Sequence, residues 1–322
     1  MSVRSSRILG TVATALALTL MPKITVSGAN ALYDSRFLAA DGGSLFDNFQ
    51  VDPRTPTFFV VHGFRDTGFS DASLRQANAI QQSFPLANVI VLDWCLTAPL
   101  CEQGETREKN SLSGMKAIRK LYRDYQDSVR MSKFVGRDIA QWIKQNEISP
   151  ARTVISGHSL GAQIAAYASN ECARAEMCCE RVLAIIAADP AGPFFELGPP
   201  EIRLDPTDAQ HVLVVHTTEV FGDEHAVGTS DVYLNWPEAE LRNDVLLHSL
   251  ARELVTAAFQ VANTPTSNRG TCNELALNLN LVPGLSPSFN GHGALGNCLQ
   301  GIVFDIETIL CELGSDTFQW EH

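Results

Sequence analysis

Eight cysteines are present but no C-x-x-C pair, so the ligand spacing of a structural zinc site is missing. No internal repeat is visible, which sets aside repeat architectures. Beyond the first residues no segment is apolar enough to span a membrane. Basic charge is in short supply: 24 Lys and Arg face 36 Asp and Glu, for a formal net charge of −12. That balance argues against nucleic acid as a partner and against general electrostatic adhesion to anionic membranes. The local basic stretch from Arg107 to Arg123 reads as a solvated helix face.

What remains is ordinary globular composition, 45% hydrophobic and 19% charged over 322 residues, enough for one large domain with an appendage. The N-terminus reads as a secretory signal over residues 1–31. Arg4 and Arg7 form its basic region, Ile8 to Met21 its apolar region, and Ala29-Asn30-Ala31 an A-x-A-like cleavage site. The apolar run is shorter than the ~20 residues of a membrane span. Arg4, Arg7 and Lys23 lie in this segment and no acid does, so a chain beginning at Leu32 carries −15 in place of −12. An even cysteine count behind such a signal favours disulfides. Cys95 with Cys101 closes a small loop. Cys272, Cys298 and Cys311 tie the C-terminal region, with a partner among Cys172, Cys178 and Cys179.

Five nearly continuous apolar runs predict strands buried on both faces: 57–64, 88–94, 152–159, 182–189 and 211–218. Helical periodicity marks 134–143 and 247–261. Strand alternating with helix predicts an α/β layered sheet with right-handed crossovers, whose ligands bind at the carboxyl ends of the strands. Residues 95–128 read as a long polar loop. Residues 32–262 form the expected domain, and 263–322, rich in Asn, Gly, Pro and Ser, a disulfide-tied extension of it.

Gly157-His158-Ser159-Leu160-Gly161 lies between the run Thr153-Val154-Ile155 and an Ala-rich helical stretch. G-x-S-x-G in that context is a nucleophile elbow: the turn is tight, and it lifts the serine Oγ over the sheet edge at a helix N-terminus. A serine nucleophile needs a base, and the base needs an acid, in the chain order Ser, Asp or Glu, His. Asp189 ends a strand before Pro190 and is the acid candidate, with Asp205 and Asp208 as rivals. His248 opens the last helix and is the base candidate, with His225 as its rival. His62 and His158 sit in glycine-rich turns lining the site. His216 reads as a core histidine, and His292 lies in the tail. The oxyanion hole needs two N–H donors, for which Leu160 and Phe64 are the candidates.

These residues resemble the secreted pancreatic-lipase family of the α/β-hydrolase superfamily. The likeness runs from about Thr57 to Arg252, on His62-Gly63-Phe64, Val89 to Trp94, Phe134-Val135-Gly136, Gly157 to Gly161, Asp189-Pro190-Ala191 and Arg203 to Ala209. The resemblance implies a mostly parallel central sheet flanked by helices and a secreted enzyme. It implies hydrolysis of lipid carboxylic esters, of triacylglycerol lipase or phospholipase A1 type, by Ser159, Asp189 and His248, with no cofactor for the chemistry. It also implies a structural calcium at Asp205 and Asp208. A non-catalytic lipid carrier on a lipase scaffold and a small-ester esterase are the alternatives. The chain departs from the family pattern in three ways. No cysteine lies between Cys179 and Cys272, the segment Pro237 to Leu247 is a short polar lid, and Leu250 replaces an expected arginine, with Arg252 further on. Too few residues follow for the C-terminal β-sandwich of larger members.

Overall fold

The structure, a computed structural model, describes residues 34–39, 51–95, 115–174, 176–234, 244–262 and, near the C-terminus, 302, 305–309 and 313. The predicted signal segment, most of the C-terminal extension, His292, and Cys101, Cys272, Cys298 and Cys311 lie outside these residues, as does the side chain of Cys95. The expected Cys95–Cys101 closure and the disulfide tie of the tail therefore fall there. Of the cysteines proposed to reach the tail, Cys172 and Cys178 carry no disulfide, and their thiols hydrogen-bond each other.

A seven-stranded sheet runs in the order β1-β3-β2-β4-β5-β6-β7. Its strands are β1 (Asp34–Ala39), β2 (Thr57–Val61), β3 (Asn88–Cys95), β4 (Thr153–His158), β5 (Ala184–Ala188), β6 (His211–His216) and β7 (Ser230–Tyr233). β1 pairs antiparallel with β3, and every other pairing is parallel. The five predicted strands are the inner five. β2, β4 and β5 are buried throughout, and β6 from Val212 onward, because helices cover both faces. The unforeseen strands β1 and β7 are the edges, where a polar sequence such as Ser230-Asp231-Val232-Tyr233 suffices.

Side-chain alternation sends Phe58 and Val60 to one face and Phe59 and Val61 to the other. The first face packs under α1 (Asp71–Ser83) and α4 (Asp244–Ala262), joined by Ile302, Ile306, Ile309 and Leu313 from the C-terminal region. The second packs under α2 (Met115–Gln145) and α3 (Leu160–Cys172). Each fully buried large side chain here contributes about 1.5–3 kcal/mol. α1 starts at Ser70, whose side chain accepts from the Ser73 N–H and satisfies one of the helix's open donors.

Two expectations are corrected. Residues 115–128 are not loop but the first half of α2, a helix of 31 residues. Met115, Ile118, Tyr122, Tyr125 and Val129 recur at three and four, and the charged residues between them give this stretch its polar look. The end of the predicted lid, Asp244 to Leu247, is likewise the first turn of α4; 235–243 lie outside the described residues.

The chain leaves β3 through α2 and enters the sheet again on the far side of β2, as β4. The sheet order therefore switches at the β2–β4 pair, and the crevice beyond their carboxyl ends is the natural place for a ligand. This is the arrangement of an α/β-hydrolase.

Candidate active site

Register sets the first two residues. His158 pairs with Ala188 at the ends of β4 and β5, so the next residues, Ser159 and Asp189, leave the sheet side by side. Ser159 caps α3 in a left-handed conformation, φ 57° and ψ −120°. Asp189 is left-handed too, at φ 45°. Non-glycine residues held there cost of order 1–3 kcal/mol each, a strain that clusters at functional sites. The turn requires glycine before the serine: a Cβ on Gly157 would lie 2.3 Å from the Gly161 carbonyl oxygen. Leu160, the first residue of α3, has an N–H that no turn of its own helix can accept.

Asp189 is fully buried, and four donors hold its carboxylate. Oδ1 accepts from the Thr217 N–H (2.7 Å) and the Thr218 N–H (3.2 Å). Oδ2 accepts from Thr218 Oγ1 at 2.8 Å and bonds His248 Nδ1 at 2.6 Å. That last bond places the proton on Nδ1 and leaves Nε2 as the acceptor. The His248 carbonyl accepts from His158 Nε2 at 2.9 Å, which fixes the histidine's backbone beside the residue preceding Ser159. Burial first, then the neighbouring His248 and Arg252, push His158 down to about 3, so it stays neutral.

The loop after β2 closes over the serine. A Cβ on Gly63 would sit 2.8 Å from Ser159 Cβ, so only glycine lets this backbone approach and brings Phe64 next to the nucleophile. His62 anchors the loop from beneath. Its ring stacks on Trp94 at 5.4 Å, its Nε2 accepts from the Trp94 N–H, and its Nδ1 bonds the Gly63 carbonyl.

The rivals lie elsewhere. Asp208 bonds Asn170 at the far end of α3, and Asp205 bonds Thr207. The thirteen residues of α3 separate them from Ser159. His225 bonds Asp223 and is exposed. His216 is buried, held by the Asp223 carbonyl and Asp231, and stacked on Tyr233.

Arg252, which the sequence marks only as an arginine beyond Leu250, takes a role in the structure. One turn after His248 it bonds the Asp66 carboxylate and so ties α4 to the oxyanion loop. Burial would raise Asp66, but Arg252 and the Thr67 N–H hold its carboxyl below the usual range. A carboxyl depressed in the folded state adds stability that is complete above its unfolded pKa, about 3.9, and is lost as pH falls through the folded value. Arg252→Leu leaves the half-buried Asp66 carboxylate with only the Thr67 N–H and nearby His62 to offset its charge, and frees the loop from α4. We expect kcat/KM to fall about 10-fold or more at pH 7, the scale of a misplaced catalytic geometry, with Tm lowered as well. Steady-state kinetics and thermal melts check both. The signal was available in sequence only as a missing arginine at Leu250.

For calcium, Asp205 and Asp208 share one loop, and burial pushes the Asp208 carboxyl up to about 7. A cation would compensate that buried charge. The loop also serves the carboxylates itself: Asp208 accepts from Asn170 Nδ2 and the Asp205 N–H, and Asp205 from Thr207. Among the described residues no three His, Cys, Asp or Glu gather as metal ligands. The two carboxylates and the buried, proton-holding Asp208 are the residues that would hold such an ion.

Comparison with known proteins shows a family. The family model described as Lipase matches residues 41–241. A phospholipase A1 of Vespula squamosa is 33% identical over 184 residues, 56% of this chain and 55% of that protein. Lipase member H of Rattus norvegicus is 32% identical over 180 residues, 56% of this chain and 34% of that protein. The chain spans about half the length of the phospholipase A1 relatives it matches. A solved α/β serine hydrolase without lid from Xanthomonas campestris aligns over 71% of this chain and 86% of its own at 12% identity, with a TM-score of 0.36.

Proposed function

Because this chain belongs to the lipase family, we propose that it is a secreted serine hydrolase cleaving carboxylic esters of lipids, phospholipids foremost, through Ser159, His248 and Asp189. The observation that carries the reading is the 2.6 Å bond from His248 Nδ1 to a fully buried Asp189, one residue beyond the β4–β5 pairing that sets Ser159 alongside.

In the proposed mechanism His248 Nε2 takes the Ser159 proton as Oγ attacks the ester carbonyl. Asp189 keeps the imidazole in the required tautomer and stabilises the imidazolium. The Leu160 and Phe64 N–H groups receive the oxyanion. The tetrahedral intermediate collapses, the C–O bond to the alcohol breaks, and His248 gives its proton to the leaving oxygen. Water, deprotonated by the same nitrogen, then hydrolyses the acyl-serine and releases the fatty acid. No metal enters these steps. Calcium at Asp205 and Asp208 is proposed as structural only.

The phospholipid preference follows the names of the matched relatives, phospholipase A1. The test is a panel of phosphatidylcholine, triolein, galactolipid and p-nitrophenyl esters of short and long chain, run with calcium and with a chelator. The expected result is release of fatty acid from phosphatidylcholine in both, with calcium raising Tm but not kcat. Turnover of short soluble esters alone would make the protein a small-ester esterase. No turnover, together with no labelling of Ser159 by a fluorophosphonate, would make it a carrier.

A further inference from the structure

α2 is longer than the core it covers. Its second half is buried against α3 through Val135, Ile139 and Ile143. Its first half carries the apolar stripe outward, with Met115, Ile118, Leu121 and Tyr122 exposed at 65, 62, 43 and 54%. On a helical projection these residues share one side, and Lys116, Arg119, Lys120 and Arg123 occupy the other. Residues 115–124 hold these four cations and one acid, Asp124, a local charge of +3 on a chain of −12. Helix stability does not call for them. The first turn of α2 contains no acid, and cations near a helix N-terminus oppose the macrodipole.

The stripe leads to the active site. Tyr125 meets the Phe64 ring edge-on at 5.3 Å, and its hydroxyl donates to the Pro193 carbonyl at 3.1 Å. Phe194, half exposed and held at φ 73°, packs on Tyr125 and Tyr122 at 5.9 and 5.8 Å. A chain of aromatic contacts therefore links the exposed stripe at Tyr122, through Phe194 and Tyr125, to Phe64, the candidate oxyanion donor. A basic polar face opposite an aromatic and aliphatic face is the pattern of a helix lying in a membrane interface, with lysine and arginine stems reaching to the headgroups.

We propose that the first half of α2, with Phe194, is the surface by which this protein settles on an anionic phospholipid bilayer. The bilayer is favoured over a second copy of the chain by charge: a second copy meeting this face with its own would set one +3 patch against another, whereas anionic headgroups complement the +3 patch around an apolar stripe. The rest of the acidic surface is repelled from the same bilayer, which turns this face, and the active-site mouth beside it, toward the lipid. The inference rests on the hydrolase reading for its purpose, not for its measurement.

The test uses the full chain carrying Ser159→Ala, so that vesicles are not consumed. Partitioning is measured onto vesicles of phosphatidylcholine alone and of phosphatidylcholine with about one-third phosphatidylglycerol. Each basic residue near such a surface is worth about 5-fold. Binding to the mixed vesicles is therefore expected to exceed binding to phosphatidylcholine by at least about 10-fold and to weaken as salt is raised. The variant Lys116→Glu, Arg119→Glu, Lys120→Glu should fall to the phosphatidylcholine level, and Ile118→Ser, Tyr122→Ser should bind neither. Equal partitioning on both vesicles overturns the proposal, as does parent-level binding by the charge-reversed variant. So does a dimer by light scattering with no vesicle binding, which would give the stripe to a second copy. Should the charge-reversed variant not fold, the salt titration of the parent decides, and salt-independent binding overturns the proposal. Lost ester hydrolysis with intact vesicle binding would sink the proposed function alone, and the converse would sink only this one.

Discussion

Ser159→Ala is expected to lower kcat on phosphatidylcholine or a p-nitrophenyl ester by about 10⁵–10⁶-fold, the scale seen when a serine nucleophile is removed. The loss is near total because His248 and Asp189 then have no oxygen to activate. The hole proposed at Leu160 and Phe64 would still polarise a carbonyl for attack by water, leaving a residual rate about 10³–10⁴ above the uncatalysed reaction. Folding should be intact: alanine meets the same left-handed φ of 57° that serine does. Turnover and a thermal melt, measured together, separate a lost nucleophile from a lost fold. Activity within tenfold of the parent would remove Ser159 from the chemistry.

Asp189→Asn is expected to cost about 10⁴-fold in kcat, and the hydrogen bonds explain why a near-isosteric change does so much. Oδ1 accepts two backbone N–H groups, from Thr217 and Thr218, so an asparagine must put its carbonyl oxygen there. Its NH₂ then stands in the Oδ2 position, facing His248 Nδ1 and Thr218 Oγ1. The amide donates to Nδ1, the imidazole proton moves to Nε2, and the nitrogen needed as a base becomes a donor. Thr218 Oγ1 already accepts from the Phe221 and Gly222 N–H groups, so its bond to residue 189 is lost and a lowered Tm is expected beside the loss of kcat. Loss of kcat at every pH, without a large change in KM, is the expected profile. A profile merely displaced along the pH axis would mean that Asp189 tunes the histidine without setting its tautomer.

Much of the site was legible because it lies where local chemistry and sheet position coincide. Gly157 to Gly161 announces its own turn, and Asp189-Pro190 ends a run of apolar residues that can only be an inner strand. His248 needed the chain order, since its neighbours Leu247 and Ser249 say nothing of a site. The edge strands were hidden by the same physics that exposed the inner ones: with one neighbour missing, Ser230 to Tyr233 needs no continuous apolar run. The first half of α2 was hidden differently. Its stripe is regular, but the cations between its apolar residues made it read as a solvated helix face within a long polar loop. The Asp66–Arg252 bond spans 186 positions, and no local pattern could disclose it.

The pairing of His158 with Ala188 also bears on how this protein can be altered. The proposed nucleophile and acid are aligned by a ladder of backbone hydrogen bonds in which the turn at residues 176–181 takes no part. The turn at residues 176–181, partly exposed between α3 and β5, is therefore a port at which added sequence, a tag or new chain ends can be accommodated with turnover preserved. One residue inserted inside β4 or β5 would rotate every later side chain of that strand to the opposite side of the sheet and carry one member of the pair away from the other.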